Sequence, residues 1–234
     1  MTAAATRPMR ADGRRNRERV LEAATALLAE RGLKVQVDEI AHRAGVGVGT
    51  VCRNFATKDT LIEAVLAGMC EEMLEQARAA QADPDAGRAF TSFVTNVAEF
   101  QGRHRVLAEE MATTVDMPTG AVKIKRALRH AVEDLVSRAQ DCGALRSDIG
   151  PADMAMLFAG IGHAAALAGV NPLLRERYLT IVLDGLRPIH ATPLPGTPLS
   201  FEELDRLRAR GQKTTARAGA HRGGAPDTST ERRP

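Results

Sequence analysis

The sequence contains very few aromatic residues: its 234 residues include no Trp and one Tyr, and the aromatic fraction is 3%. All-β domains usually draw on aromatic and β-branched residues, whereas this chain is rich in Ala, Leu, Arg and Glu, which favour helices. Hydrophobic residues make up 44% and charged residues 26%, which excludes collagen-like and fully disordered chains. The composition therefore predicts an all-α protein, long enough for one or two domains.

Cysteine is also scarce, with three residues that lie far apart at Cys52, Cys70 and Cys142. This spacing excludes a secreted disulfide framework and a CxxC metal site, and we expect a reducing, cytoplasmic environment. The six histidines lack the spacing of zinc ligands, and no Ser/His/Asp set or carboxylate pair stands out. We therefore predict no metal, no cofactor and no enzymatic activity.

Long apolar segments are nearly absent. The N-terminus has no apolar segment of the kind that a signal peptide requires. Residues 154–174 carry no charge over 21 positions, which is just long enough to span a bilayer. They are mostly Ala and Gly and include His163, Asn171 and Pro172, so they favour a buried, closely packed helix. We expect no contact with a membrane.

Charge is unevenly distributed along the chain. Residues 1–60 carry 11 Lys and Arg against 7 Asp and Glu, whereas residues 61–190 carry 13 against 17. This asymmetry predicts that one end of the chain meets a polyanion and the other does not, the alternative being a solvated basic face. Residues 1–12 predict a flexible basic arm. The Pro-containing residues 189–234 predict a disordered basic tail, apart from a possible short helix over 200–210.

Apolar residues recur at helical spacing through most of the remaining chain. The pattern predicts a first helix that stops at Gly32, a short helix that ends at Gly45, and a long helix over 58–80 with Thr57 as its N-cap. Further helices are predicted over 86–101, 104–114, 119–141, 151–169 and 172–187.

Residues 36–55 have the pattern of a helix-turn-helix, with two short helices joined by a turn that contains glycine. At about 100° per residue, the second helix has Val48, Val51 and Phe55 on its inner side. In such a motif the second helix enters the major groove of DNA, where exposed side chains contact base edges and phosphates. The residues predicted to lie on or beside the DNA-facing side are Gly49, Thr50, Cys52, Arg53 and Asn54.

At these residues the chain resembles the TetR family of bacterial transcriptional regulators. The matching residues are Ile40-Ala41, Ala44-Gly45-Val46, Gly49-Thr50-Val51, Arg53-Asn54-Phe55 and Lys58-Asp59-Thr60-Leu61. The resemblance implies an N-terminal three-helix DNA-binding domain over 13–73, followed by a C-terminal ligand-binding and dimerisation domain of about six helices over 74–188. It also implies that Thr50 and Arg53 contact DNA and that Lys58 holds a phosphate.

The resemblance predicts a ligand-responsive transcriptional regulator. We expect a repressor that binds a palindromic double-stranded DNA operator as a homodimer and is released by a small-molecule effector. The family usually has Ser where this chain has Gly47, and Tyr where it has Cys52. These two positions favour the alternative, which is a helical small-molecule-binding protein without specific DNA binding.

The helices predicted over 151–169 and 172–187 carry many small residues. Small side chains allow helices to approach closely, and so large an apolar surface is expected to be buried against a partner. In the TetR family the last two helices form a four-helix dimer interface, which agrees with this expectation. The alternative is that these helices belong to the internal core.

For the effector pocket the sequence offers only apolar candidates. Core packing is the more frequent role of such residues, so both roles stay open. The candidates are Phe93, Val97, Phe100, Leu107, Met111, Leu128 and Phe158.

Overall fold

A computed structural model describes residues 6–104, 107, 119–167, 172–207 and 209–210 of the chain. Within these residues the regular structure is entirely helical, so the all-α prediction is confirmed. The helices in chain order are α1 (Thr6–Arg31), α2 (Val37–Ala44), α3 (Val48–Asn54), α4 (Lys58–Gln81), α5 (Ala86–Arg103), α6 (Thr119–Asp141), α7 (Pro151–Leu167), α8 (Pro172–Gly185) and a shorter segment, α9, over 201–207.

Helix α1 begins at Thr6, within the segment that the sequence predicts as a flexible arm. Residues 6–12 are therefore helical in the structure. Two exposed ion pairs on neighbouring turns favour the extension: Arg14 lies 3.6 Å from Glu18, and Arg15 lies 2.7 Å from Asp12. The sequence of these turns contains Pro8 and Gly13 and no repeated apolar spacing, so periodicity could not predict a helix there.

Helices α2 and α3 form the predicted helix-turn-helix. Helix α2 ends at Gly45, whose backbone lies in the left-handed region with φ 63°. Only glycine fits this position well, because a Cβ there would also lie 2.6 Å from the guanidinium of Arg19. On α3, Val51 is buried as predicted, whereas Val48 is 46% exposed. Val48 is the first residue of this two-turn helix and lies outside the cluster of buried side chains that includes Val51.

The buried apolar side chains form two cores, and α4 contributes to both. Its N-terminal half joins α1, α2 and α3 through residues such as Leu61 and Leu66, and its C-terminal half joins the later helices through Leu74 and Ala77. Thr57 caps the start of α4, since its hydroxyl accepts the Thr60 backbone N–H at 3.1 Å. Helix α4 therefore connects the helix-turn-helix to the bundle of α5 to α8.

The bundle is built around α4, α5 and α6. Helix α4 packs along α6, and α5 contacts α4, α6, α7 and α8. The end of α5 leaves this core: Phe100 belongs to the same buried cluster as Val20 of α1 and Val51 of α3. Both α4 and the end of α5 therefore join the two parts of the molecule.

Residues 189–207, which we call the strap, follow α8 and are ordered along the bundle surface. The sequence predicts a disordered tail from 189 onward with a possible short helix over 200–210. Helix α9 agrees with that short helix, whereas the prediction of disorder is wrong for the strap residues that precede it. The Leu194 N–H donates to Asp148 at 2.9 Å, and the Leu199 N–H donates to Asp153 at 3.1 Å. The path of residues 189–199 was not predicted, because these bonds join backbone groups to side chains 46 residues away and leave no periodic pattern.

The end of the strap is anchored on α6. Arg129 makes two bonds of 2.7 Å to the carboxylate of Asp205, and its guanidinium lies 4.9 Å from the centre of the Phe201 ring. Leu204 is buried. The hydroxyl of Ser200 accepts the Glu203 N–H at 3.2 Å and so caps α9.

The three cysteines carry free thiols. Burial raises the pKa of Cys70 to about 11, so this thiol stays protonated at neutral pH. In the part of the chain that the structure describes, no helix is both long and apolar enough to cross a membrane.

Candidate nucleic-acid interface

The outward side of α3 carries the residues predicted to face DNA. Gly49, Cys52 and Arg53 are exposed, and Thr50 and Asn54 are half-buried. Because Val51 packs inward between them, these side chains form a short polar surface about two helical turns long. The structure thus brings the five predicted positions together on one surface.

Two hydrogen bonds order the side chains of this surface. The Arg53 guanidinium donates to the Thr50 hydroxyl at 3.1 Å, and the Asn54 amide donates to the Thr50 carbonyl at 2.8 Å. Arginine carries five N–H donors, so this bond leaves Arg53 able to contact the edge of a guanine or a phosphate. The bond to Thr50 limits the number of conformations from which such contacts are made.

Arg17 of α1 holds the C-terminal end of α3. Its guanidinium lies 4.3 Å from the centre of the Phe55 ring and donates to the Asn54 carbonyl at 3.3 Å. The first contact is a cation–π interaction, and the second satisfies a carbonyl that the end of a helix leaves without an intrahelical partner. The sequence places Arg17 among the Arg residues near the N-terminus and gives no local sign of this contact, since 38 positions separate Arg17 from Phe55.

Further contacts attach α2 to α1. Arg43 makes two bonds to the Glu30 carboxylate, at 2.9 and 3.1 Å, and Arg31 lies 2.8 Å from Glu39. The bonds from Arg43 hold the pKa of Glu30 below its ordinary value, so the carboxylate stays ionised. Exposed pairs of this kind contribute little energy each, but together they fix the orientation of α2.

Lys58, the first residue of α4, lies beside this motif and is half-buried. Its ammonium donates to the Leu33 carbonyl at 2.6 Å, which ties the start of α4 to the chain between α1 and α2. An ammonium has three N–H donors, so a phosphate contact is compatible with this bond.

The candidate pocket residues do not gather at one place. Phe93, Val97 and Phe158 are buried in the core of the C-terminal bundle, and Leu128 packs against it. Phe100 and Leu107 instead lie in the core of the helix-turn-helix, and Met111 lies outside the described residues. The sequence could not separate the two groups, because it does not reveal that the end of α5 reaches the first core.

Two polar side chains, one on α4 and one directly after α5, each have a buried polar atom. The Gln76 side-chain oxygen and the His104 Nδ1 are buried, and neither has a hydrogen-bond partner among the residues described. His104 packs against Phe100 with 4.8 Å between ring centres, and burial lowers the pKa of its imidazole, which favours the neutral ring. Unpaired buried polar atoms are costly, so they mark a place where a ligand could contribute bonds.

A second exposed surface runs between α7 and α8. A groove of about 740 Å³ separates the two helices, and Gly160 and Gly185 are among the residues that line it. Its apolar side chains include Met156, Leu157, Tyr178, Ile181 and Val182, of which Ile181 is 56% exposed. A continuous exposed apolar surface of this kind marks an interaction site.

The fold and the α2–α3 arrangement are those of a helix-turn-helix transcriptional regulator. Residues 20–65 match the family model described as bacterial regulatory proteins, tetR family. Residues 85–188 match the model described as transcriptional regulator SbtR-like, C-terminal domain. The chain belongs to the TetR family, whose members bind DNA, form dimers and have a ligand-binding C-terminal domain.

Solved structures agree with this assignment. A TetR transcription regulatory protein from Mycobacterium vanbaalenii is 32% identical with a TM-score of 0.58, covering 77% of this chain and 99% of its own. A TetR transcriptional regulator from Streptomyces coelicolor is 28% identical with a TM-score of 0.54, covering 74% and 99%. FadR from Bacillus subtilis, in complex with stearoyl-CoA, shares the fold at 14% identity and a TM-score of 0.55, covering 73% and 99%.

Proposed function

We propose that this protein is a transcriptional repressor that binds a palindromic operator through the α3 helices of two subunits and is released by a small-molecule effector. The observation that carries the proposal is the exposed surface of α3, where Arg53 is ordered by Thr50. Arg17 holds the same helix through Asn54 and Phe55. A recognition helix must keep its orientation while its side chains read bases, and this arrangement supports that role.

Each residue on or near α3 has a proposed role. Arg53 and Thr50 contact base edges in the major groove, and the absence of a side chain at Gly49 lets the helix approach the DNA closely. Lys58 and the exposed Arg14 hold phosphates, which positions the domain without reading sequence. Cys52 and Asn54 lie beside these contacts.

The proposed operator is a palindrome because two α3 helices related by two-fold symmetry meet half-sites one helical turn, or a multiple of it, apart. The proposed dimer forms through the groove between α7 and α8, within residues 151–169 and 172–187. Its exposed apolar side chains and its two glycines suit a self-complementary interface.

The proposed effector acts through α4, because this helix contributes to both cores. A ligand that reaches the buried polar atom of Gln76 or of His104 would supply a hydrogen bond that the described residues do not provide. To release DNA, it must bind more tightly to the conformation in which the two α3 helices no longer match the half-sites. We therefore expect an effector with an apolar body and a polar group.

The test is operator selection with the full chain. Binding to a random pool of duplexes, and to DNA from upstream of its own gene, should enrich a palindrome. Fluorescence anisotropy on that palindrome at two salt concentrations should show affinity that falls as salt rises. Arg53→Ala should then weaken specific binding about tenfold to hundredfold, the cost of one base contact.

Arg78→Ala is the matched control, because it removes the same charge from an exposed position far along α4. It should leave operator affinity within about twofold, since surface charges beyond a Debye length contribute weakly. Failure to enrich any sequence would reject the repressor and favour a helical small-molecule-binding protein. Equal losses for the Arg53 and Arg78 variants would reject the assignment of α3 as the reading surface.

A further inference from the structure

We propose that the strap is a third element of the dimer interface, so that its Leu194 packs against a second copy of this chain. This inference extends the proposed dimerisation through α7 and α8, on which it rests. The family model that covers the C-terminal domain ends at residue 188, so the strap lies beyond the part of the chain that it describes.

Leu194 of the strap continues the apolar groove between α7 and α8. Leu194 lines the same groove as Met156 of α7 and as Tyr178 and Ile181 of α8. The side chain of Leu194 is 44% exposed although neighbouring atoms hold its backbone in place. An apolar side chain that is both fixed and exposed at the end of an apolar groove adds to that surface and has no other described role.

Hydrogen bonds from Arg146 and Asp148 hold the strap in place. The guanidinium of Arg146 donates to both oxygens of Asp148, to the Gly185 carbonyl at the end of α8 and to the Thr192 carbonyl in the strap. The Asp148 carboxylate also accepts the N–H of Leu194 at 2.9 Å. One ion pair, in which the Arg146 side chain is buried and the Asp148 side chain is half-buried, therefore fixes the end of α8 and the strap relative to each other.

The position of Leu194 relative to the end of α8 also supports the proposal. Helix α8 has 14 residues, which gives it a length of about 21 Å. After Gly185 the chain passes through His190, whose φ is 58°, and Leu194 then lies beside the groove. The apolar surface thus extends past the end of α8, and a second copy that covers α7 and α8 would meet Leu194 as well.

The experiment measures the dimer dissociation constant by sedimentation velocity over a concentration series of the full chain. Leu194→Glu should raise this constant at least tenfold, because the interface would have to bury a carboxylate without a partner. Leu194→Ala should raise it less, about threefold to tenfold, because only apolar contact is lost. Circular dichroism of each variant shows whether the helices remain folded.

Two matched variants make the result specific. Leu207→Glu places the same charge on another exposed Leu, which lies at the end of the strap and does not line the groove. It should leave the dimer dissociation constant within about twofold. Ile181→Glu places it in the groove between the helices and should give monomers. The role of the strap would be overturned if the folded Leu194→Glu variant dimerised as well as Leu207→Glu while Ile181→Glu was monomeric. That result would leave the α7–α8 interface in place. Dimers of Ile181→Glu would instead reject that interface and, with it, this proposal.

Discussion

The two exposed surfaces of this molecule differ in chemistry but share a means of support. The surface of α3 presents small and polar side chains, whereas the groove between α7 and α8 presents apolar ones. Next to each lies an arginine that donates to backbone carbonyls: Arg17 to Asn54 beside α3, and Arg146 to Gly185 and Thr192 beside the groove.

In this molecule, different residues hold each surface in place and contact its partner. Arginine suits the support of both surfaces because its planar fork reaches several acceptors at once. The side chains that it leaves exposed then decide the partner. Polar groups suit the hydrated, charged grooves of DNA, and apolar groups suit the dry interface of a dimer.

The largest expected effect, on dimerisation and on operator affinity, comes from placing a charge in the apolar groove between α7 and α8. Ile181→Glu should abolish dimers at micromolar concentration and lower operator affinity at least hundredfold, because one half-site alone binds weakly. Operator titration with analytical ultracentrifugation checks both effects. Val122→Glu alters another exposed apolar residue, on α6, and should change neither. Equal effects of the two variants would show that the groove has no special role.

A smaller effect is expected from displacing the strap. A Cβ at Gly150 would lie 2.6 Å from the Leu199 carbonyl oxygen, so Gly150→Ala must push the strap away. We expect a loss of about 1–3 kcal/mol in the free energy of unfolding and faster proteolysis within residues 189–207. Gly68→Ala, where a Cβ meets open space on helix α4, should not destabilise the protein. Unchanged protease resistance in the Gly150 variant would contradict the role of this close approach.

Removing the support of α3 should have a comparable or slightly smaller effect. Arg17→Ala loses the contact with Phe55 and the bond to Asn54, and should cost about 1–2 kcal/mol in unfolding free energy. Arg14→Ala removes the same charge from the same helix but only an exposed pair, and should cost less than about 0.5 kcal/mol. Urea unfolding compares them. Equal costs would mean that Arg17 acts through its charge alone.

The smallest expected effect is at the start of α3. Gly47 is its N-cap, with the extended backbone that a capping serine also adopts, and a Cβ there would meet no atom within 4 Å. Gly47→Ser should therefore raise stability by a few tenths of a kcal/mol through a new bond to the first turn. Thermal unfolding measures the change, with Gly47→Ala as the control that adds a side chain without a hydroxyl. A serine variant less stable than the alanine variant would show that no cap forms.

Much of the fold could be predicted because the signals are local. Apolar periodicity gives α4, α5 and α6 within two residues at each end, since each has a partner surface that requires a stripe of buried side chains. The outward side of α3 could be predicted for the same reason: seven residues and one helical period decide which side chains point away from Val51.

The rest depends on contacts between distant residues. Arg17 and Phe55 carry no shared pattern, and neither do Asp148 and Leu194 or Arg129 and Asp205, so the support of α3 and the strap were missed. The pocket candidates failed to gather for a related reason. Apolar composition predicts burial, but it does not say in which of two cores a residue such as Phe100 is buried.

The anchoring of the strap has a consequence for how such regulators evolve. Its bonds to Arg146, Asp148 and Asp153 involve main-chain atoms of Thr192, Leu194 and Leu199, so substitution there can preserve the path of the chain. The residue at position 194 can therefore be substituted during evolution while the backbone at that position keeps its place. In a cell with many regulators of one family, a divergent residue at that location would disfavour mixed dimers and keep each operator under its own protein.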